Sequence, residues 1–117
     1  NIEDCVKFLR IRDDIENVLQ AMDILLFPSL FEGLPLALIE AQASNMLIFA
    51  SDTISRKVNL SSNIHFLPLN ENEKFWCDKI LSEKNHINDR KSNIDTISNC
   101  GYDILIETKK LEKYLES

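Results

Sequence analysis

The chain reads as an α/β domain with a parallel sheet, and three observations carry that reading. Ile24-Leu25-Leu26-Phe27 and Leu47-Ile48-Phe49-Ala50 are continuous apolar runs without the one-in, one-out alternation of a half-exposed strand, and Ile64-His65-Phe66-Leu67 reads as a further strand. Between them lie helical patterns, so strand, helix and strand alternate along the chain. The connections are short, with only two glycines and three prolines in 117 residues.

Taken in order, Val6-Lys7-Phe8-Leu9 reads as a short first strand. Asp13 or Asp14 can cap a helix whose apolar positions Ile15, Val18, Leu19 and Met22 follow a helical period, with Asp23 closing it. Ile24–Phe27 then predicts a strand buried on both faces and bounded by Pro28. After a loop, Ser29 to Gly33, a helix is expected from about Pro35 to Ser44, because proline in the first turn loses no intrahelical bond. The runs 47–50 and 64–67 are the next strands. Phe75, Trp76, Ile80 and Leu81 share one face of a helix near 73–81. Ile94 and Ile97, then Ile104, Leu105, Leu111, Tyr114 and Leu115, predict two closing helices split near Gly101.

Composition is that of one globular domain: 44% hydrophobic, 27% charged, formal charge −6. Residues 1–60 carry nine acids and five bases, residues 61–117 ten and eight, so no dense basic patch points to nucleic acid. The longest apolar run, Ile24 to Pro28, is too short to span a membrane. Cys5, Cys77 and Cys100 are odd in number and far apart, fitting neither a disulfide framework nor a zinc site. His65 and His86 lack a nearby constellation for nucleophilic catalysis, and Trp76 reads as core. Asp52, at a strand's carboxyl end, reads as a turn residue before it reads as a ligand contact.

Two carboxylates remain. Glu32 and Glu40 are the only charges in Pro28–Ala41, fourteen residues that otherwise resemble a core segment. Isolated charges in such a setting need a partner or a function, since desolvating a carboxylate costs several kcal/mol. In open parallel sheets ligands gather at the carboxyl ends of strands, which is where the Ser29–Gly33 loop falls. A helix starting near Pro35 offers free N–H groups of Leu36 and Ala37 and a positive dipole end, suited to phosphate. Gly33 allows close backbone approach. Each carboxylate can accept both hydroxyls of a vicinal diol, so two diols with a diphosphate between them would suit a nucleotide-sugar. The alternative is a dipole-favoured glutamate before the helix and a solvated one upon it.

The stretch Asp23-Ile24-Leu25-Leu26-Phe27-Pro28-Ser29-Leu30-Phe31-Glu32-Gly33-Leu34-Pro35 through Glu40-Ala41-Gln42-Ala43, then Ala50-Ser51-Asp52, resembles the family-4 (group 1) retaining glycosyltransferases of GT-B fold. Phe66-Leu67-Pro68-Leu69 and Gly101-Tyr102-Asp103-Ile104 are similar to the subgroup that builds bacterial capsular and exopolysaccharides. The resemblance implies a Rossmann-like parallel sheet, in a truncated C-terminal domain of the GT-B fold spanning residues 1–117. It further implies that Glu32 contacts the donor sugar as the catalytic-site carboxylate and that Glu40 holds the ribose. Backbone groups of Gly33, Leu34 and Leu36 would bind sugar and phosphate, with no metal and no cofactor. The implied partners are a nucleotide-diphosphate sugar donor and, through an absent N-terminal domain, a glycan or lipid-linked acceptor. Nucleic acid and a membrane span are not expected. The implied location is cytoplasmic, with peripheral association at the inner membrane face as a variant.

Where the family carries Gly, this chain has Arg10 and Asn45, and Met46 replaces a Pro. Asn tolerates the left-handed conformation of a helix C-cap; Arg10 has no such explanation in the sequence. With two family strands absent, Val6–Leu9 is expected to pair directly with Ile24–Phe27. The rival readings are a nucleotide-sugar-binding fragment or remnant without turnover, and a receiver-like domain. The last is disfavoured because Asp23 precedes its strand instead of ending it.

Overall fold

The computed structural model describes residues 1–83, 85 and 90–117; His86 lies outside them. Three parallel strands, β1 (Ile24–Phe27), β2 (Leu47–Ser51) and β3 (Ile64–Leu67), form one sheet in chain order. Registers Phe27↔Ala50 and Ala50↔Phe66 bring the carboxyl ends of all three strands level. Helices α1 (Ile15–Ala21) and α2 (Leu36–Ala43) surround β1 in sequence, and α3 (Glu73–Glu83) follows β3. A short α4 (Ile94–Ile97), a wide turn over Ser98–Tyr102 and α5 (Ile104–Leu115) complete the chain.

The pleat divides the core into two layers. Ile48, Ala50 and Ile64 point into a layer with Leu38, Ile39 and Ala41 of α2, Met46, Ile54, Val58 and Ile97. Phe49 and Leu67 point the other way and meet Trp76 of α3, flanked by Phe75 and Ile80. Trp76 is therefore core, its indole N–H donating to Pro68 O at 3.0 Å. His65 stacks on Phe49 with ring centroids 5.1 Å apart. Both match the structural roles expected of them.

The end of α2 is held closely. Met46 N–H donates to Ala41 O at 3.0 Å and Asn45 N–H to Gln42 O at 2.9 Å, the paired bonds of a Schellman cap. Asn45 sits at φ 52, the left-handed conformation expected where the family carries glycine. Its Oδ1 accepts from the side-chain amides of Asn63 and Asn93. Arg10 has the same conformation, φ 57, so this chain keeps a glycine-like backbone there with a bulky residue.

Two expectations need correction. Residues 6–9 form no strand and do not pair with β1; Phe8 is 89% exposed, and β1 pairs with β2 alone. A four-residue segment added to one edge gains too little by itself to be drawn into a sheet. β1 is accordingly an edge, and Leu26 is half exposed over an apolar groove of about 410 Å³ that also touches Pro28, Leu69 and Trp76. The closing helices do separate at Gly101, whose φ of 90° requires a glycine, but α5 buries none of its residues. Ile104, Leu105, Leu111, Tyr114 and Leu115 face outward.

Candidate functional site

The loop after β1 and the first turn of α2 form the site. Pro35 takes the N-cap position, buried and extended, so the helix starts at Leu36, one residue later than expected. Leu38 N–H turns back to Pro35 O at 2.9 Å. Among the described residues the N–H groups of Leu36 and Ala37 have no acceptor, and no side chain caps this end. Two donors and the positive end of an eight-residue helix thus face the space beyond the sheet's carboxyl edge.

Gly33 borders that space. A Cβ built upon it would meet nothing within 4 Å, and its φ is not in the left-handed range. Neither backbone conformation nor crowding within the chain calls for a glycine there. Leu34 and Leu36 are exposed beside it.

Glu32 is half-buried, one carboxylate oxygen accepting from Ser29 Oγ at 2.8 Å. The Ser29 carbonyl accepts in turn from Thr53 Oγ1 at 2.9 Å and from Ser51 Oγ. Ser51 ends β2 with no exposed surface. The loop is therefore tied to the neighbouring strand by side-chain hydroxyls, a feature that reading the chain for charges alone does not find. Ser51-Asp52-Thr53 at a strand's carboxyl end, level with Ser29, was the available signal. Asp52 itself is exposed, and its N–H extends the ladder to Leu67 O at 2.9 Å.

Glu40 is exposed on α2. Neither glutamate is buried, which corrects the view of them as charges stranded in a core: α2 buries Leu38, Ile39, Ala41 and Gln42 and leaves Glu40 on its open side. Glu40 borders a groove of about 710 Å³ between α1 and α2, with Ile15, Glu16, Gln20, Ser44 and Arg90. Glu32 does not line this groove. The two carboxylates flank the amino-terminal turn of α2, one in the loop before it and one on the turn after it.

Two side chains hold this helix in place. Gln42, fully buried, donates its amide to Leu38 O and Val58 O at 3.0 and 2.9 Å. Its oxygen accepts from Leu60 N–H, Ser61 N–H and Ser61 Oγ at 2.8–3.1 Å. Arg90 spreads its guanidinium over the carboxyl ends of α1 and α2, donating to Leu19 O at 3.1 Å, Ser44 O at 3.0 Å and Met22 O. Nothing in the sequence pattern singled out Arg90.

A three-stranded parallel sheet with a free helix amino terminus at its carboxyl edge defines a Rossmann-like α/β unit. The model of the glycosyl transferases group 1 family matches residues 1–81, more than half of the chain, and the chain belongs to that family. It is 32% identical over 105 residues to EpsF of Bacillus subtilis (strain 168), a glycosyltransferase by its name, covering 88% of this chain and 27% of EpsF. It is 40% identical over 52 residues to the UDP-Gal:alpha-D-GlcNAc-diphosphoundecaprenol alpha-1,3-galactosyltransferase of Escherichia coli, covering 44% of this chain and 13% of that enzyme. The chain thus spans about a quarter or less of the curated relatives it matches. No solved structure matches it. Among the described residues no helix is long and apolar enough to cross a membrane.

Proposed function

We propose that the chain is the C-terminal, donor-binding portion of a GT-B glycosyltransferase, which transfers a sugar with retained anomeric configuration from a nucleotide diphosphate. The product would be a bacterial surface polysaccharide, capsular or exopolysaccharide. The observation that carries this reading is the amino end of α2, with unpartnered N–H groups at Leu36 and Ala37 and a glutamate on either side. The diphosphate lies against these donors, where the helix dipole favours negative charge. Glu40, on the groove between α1 and α2, takes the ribose hydroxyls. Glu32 takes hydroxyls of the hexose, and backbone groups at Gly33 and Leu34 close around it. As the glycosidic bond breaks, charge grows on the departing diphosphate, and fixed donors that need no reorganisation stabilise it. The galactosyltransferase relative names UDP-Gal as its donor, which supports a nucleotide-diphosphate sugar here. The acceptor, a glycan or lipid-linked saccharide, would be held by a separate N-terminal domain. Because activated donors of this class are cytoplasmic, transfer would take place there, at the inner face of the membrane when the acceptor is lipid-linked.

Isothermal titration with UDP- and GDP-hexoses tests this. Glu32→Gln and Glu40→Gln are each expected to weaken binding on the order of tenfold or more, as for hydrogen bonds to a charged group. Unchanged binding in both variants would refute the donor site. A second reading is nucleotide-sugar binding without turnover. Product formation by the protein as its gene encodes it separates the two.

A further inference from the structure

We propose that Ser29, Ser51 and Thr53 are positioning residues for Glu32, a hydroxyl relay that anchors the sugar-facing carboxylate to the end of β2. The proposal rests on the donor-sugar reading of Glu32 given above. The parallel register sets Phe27 beside Ala50, so Pro28-Ser29 leaves β1 next to Ser51, the last residue of β2. The Ser51 hydroxyl, fully buried, donates to Ser29 O. Thr53 Oγ1 lies 2.9 Å from the same carbonyl and 3.0 Å from Ser51 Oγ, so its single proton serves either acceptor.

With its carbonyl held from the neighbouring strand, Ser29 has its own hydroxyl proton left over. Two acceptors lie within reach: Phe31 O at 3.2 Å and Glu32 Oε1 at 2.8 Å. The charged acceptor is both nearer and stronger. One carboxylate oxygen is thereby fixed, while among the described residues the other, Oε2, accepts nothing from the protein. A glutamate on a short loop otherwise loses rotamer freedom when a ligand engages it. The relay restricts that freedom beforehand and leaves Oε2 for the sugar.

Titrations with UDP and UDP-galactose, and with GDP and GDP-mannose, on the protein as its gene encodes it, distinguish positioning from general support. Ser29→Ala is expected to weaken the sugar nucleotide about tenfold and the matching free diphosphate less than twofold, since only the former meets Glu32. Ser29→Thr, which keeps the hydroxyl, should restore most of the affinity. On a Glu32→Gln background, Ser29→Ala should add less than twofold, because the group it orients is already altered. Thr53→Val should speed amide exchange at residues 31–33 and weaken the sugar nucleotide severalfold. Equal losses for sugar nucleotide and free diphosphate, or full additivity with Glu32→Gln, would overturn the relay alone. If Glu32→Gln leaves binding intact, or if none of the four probes binds the unaltered protein, the donor-sugar reading falls and the relay with it.

Discussion

Replacing Gln42 with leucine would remove the buried amide that joins α2 to the 56–61 segment. Volume is nearly conserved, so the effect is polar and can be worked from partners. On the donor side little is lost: Val58 O also accepts from Leu60 N–H at 3.0 Å. On the acceptor side Ser61 N–H and Ser61 Oγ lose their partner, and Leu60 N–H keeps only its local γ-turn bond to Val58 O. A buried donor left without an acceptor costs about 1–3 kcal/mol. Leu60 and Ser61 are half-buried and water can reach them in part, which places each N–H near the lower end. The expected destabilisation is about 2–4 kcal/mol. With an unfolding entropy near ~2.1 cal/mol/K per residue, this lowers Tm by about 8–16 °C. Urea unfolding followed by circular dichroism measures it, with the m-value expected unchanged. A loss below about 1 kcal/mol would show that the amide network is offset elsewhere and does not hold α2 in place.

Arg90→Ala uncovers the carboxyl ends of two helices and is expected to cost about 2–4 kcal/mol, with Arg90→Lys recovering less than half, because an ammonium lacks the planar fork that reaches several carbonyls at once. Equal stability of the lysine variant and the parent in thermal melts would contradict the clamp. Gly33→Ala should leave stability within about 0.5 kcal/mol, given open space and an ordinary φ, yet weaken sugar-nucleotide binding in calorimetry. A stability loss above about 1 kcal/mol would instead make Gly33 a requirement of the fold. Asp14 titrates below the ordinary carboxylate range because the Arg12 guanidinium donates to both its oxygens, at 2.7 and 2.6 Å. A depressed folded value means the contact contributes fully above the ordinary carboxylate pKa and is lost as pH falls through the folded one. Carboxyl NMR titration should show Asp14 returning to its ordinary value in Arg12→Gln, and an unmoved Asp14 would refute the pairing.

The strand runs and the Glu32–Glu40 spacing could be read from the chain because both depend on local pattern. Unbroken apolar quartets bounded by turns have few other stable forms, and eight residues across a proline-initiated helix leave little choice of relative placement. Asn45 was legible for a similar reason, since few side chains tolerate a left-handed helix end. Residues 6–9 show the opposite case. Their apolar content suited a strand, but composition does not say whether a segment will join an open edge, and the outer edge of β1 is not taken by these residues. The same holds for α5, whose apolar positions follow a helical period yet bury nothing.

Local sequence, then, settled the parallel α/β order and named the two glutamates, because periodicity, caps and isolated charges act over a few residues. The fold alone settled which layer each strand side faces and that Glu40 opens onto a groove with Arg90, fifty residues away. It also showed that Glu32 is held through Ser29 by hydroxyls from the next strand. The hydroxyls that hold Ser29 come from 22 and 24 positions away, and no short-range pattern encodes which carbonyl a distant hydroxyl or guanidinium will meet. Register and packing decide that, and they exist only once the sheet has formed.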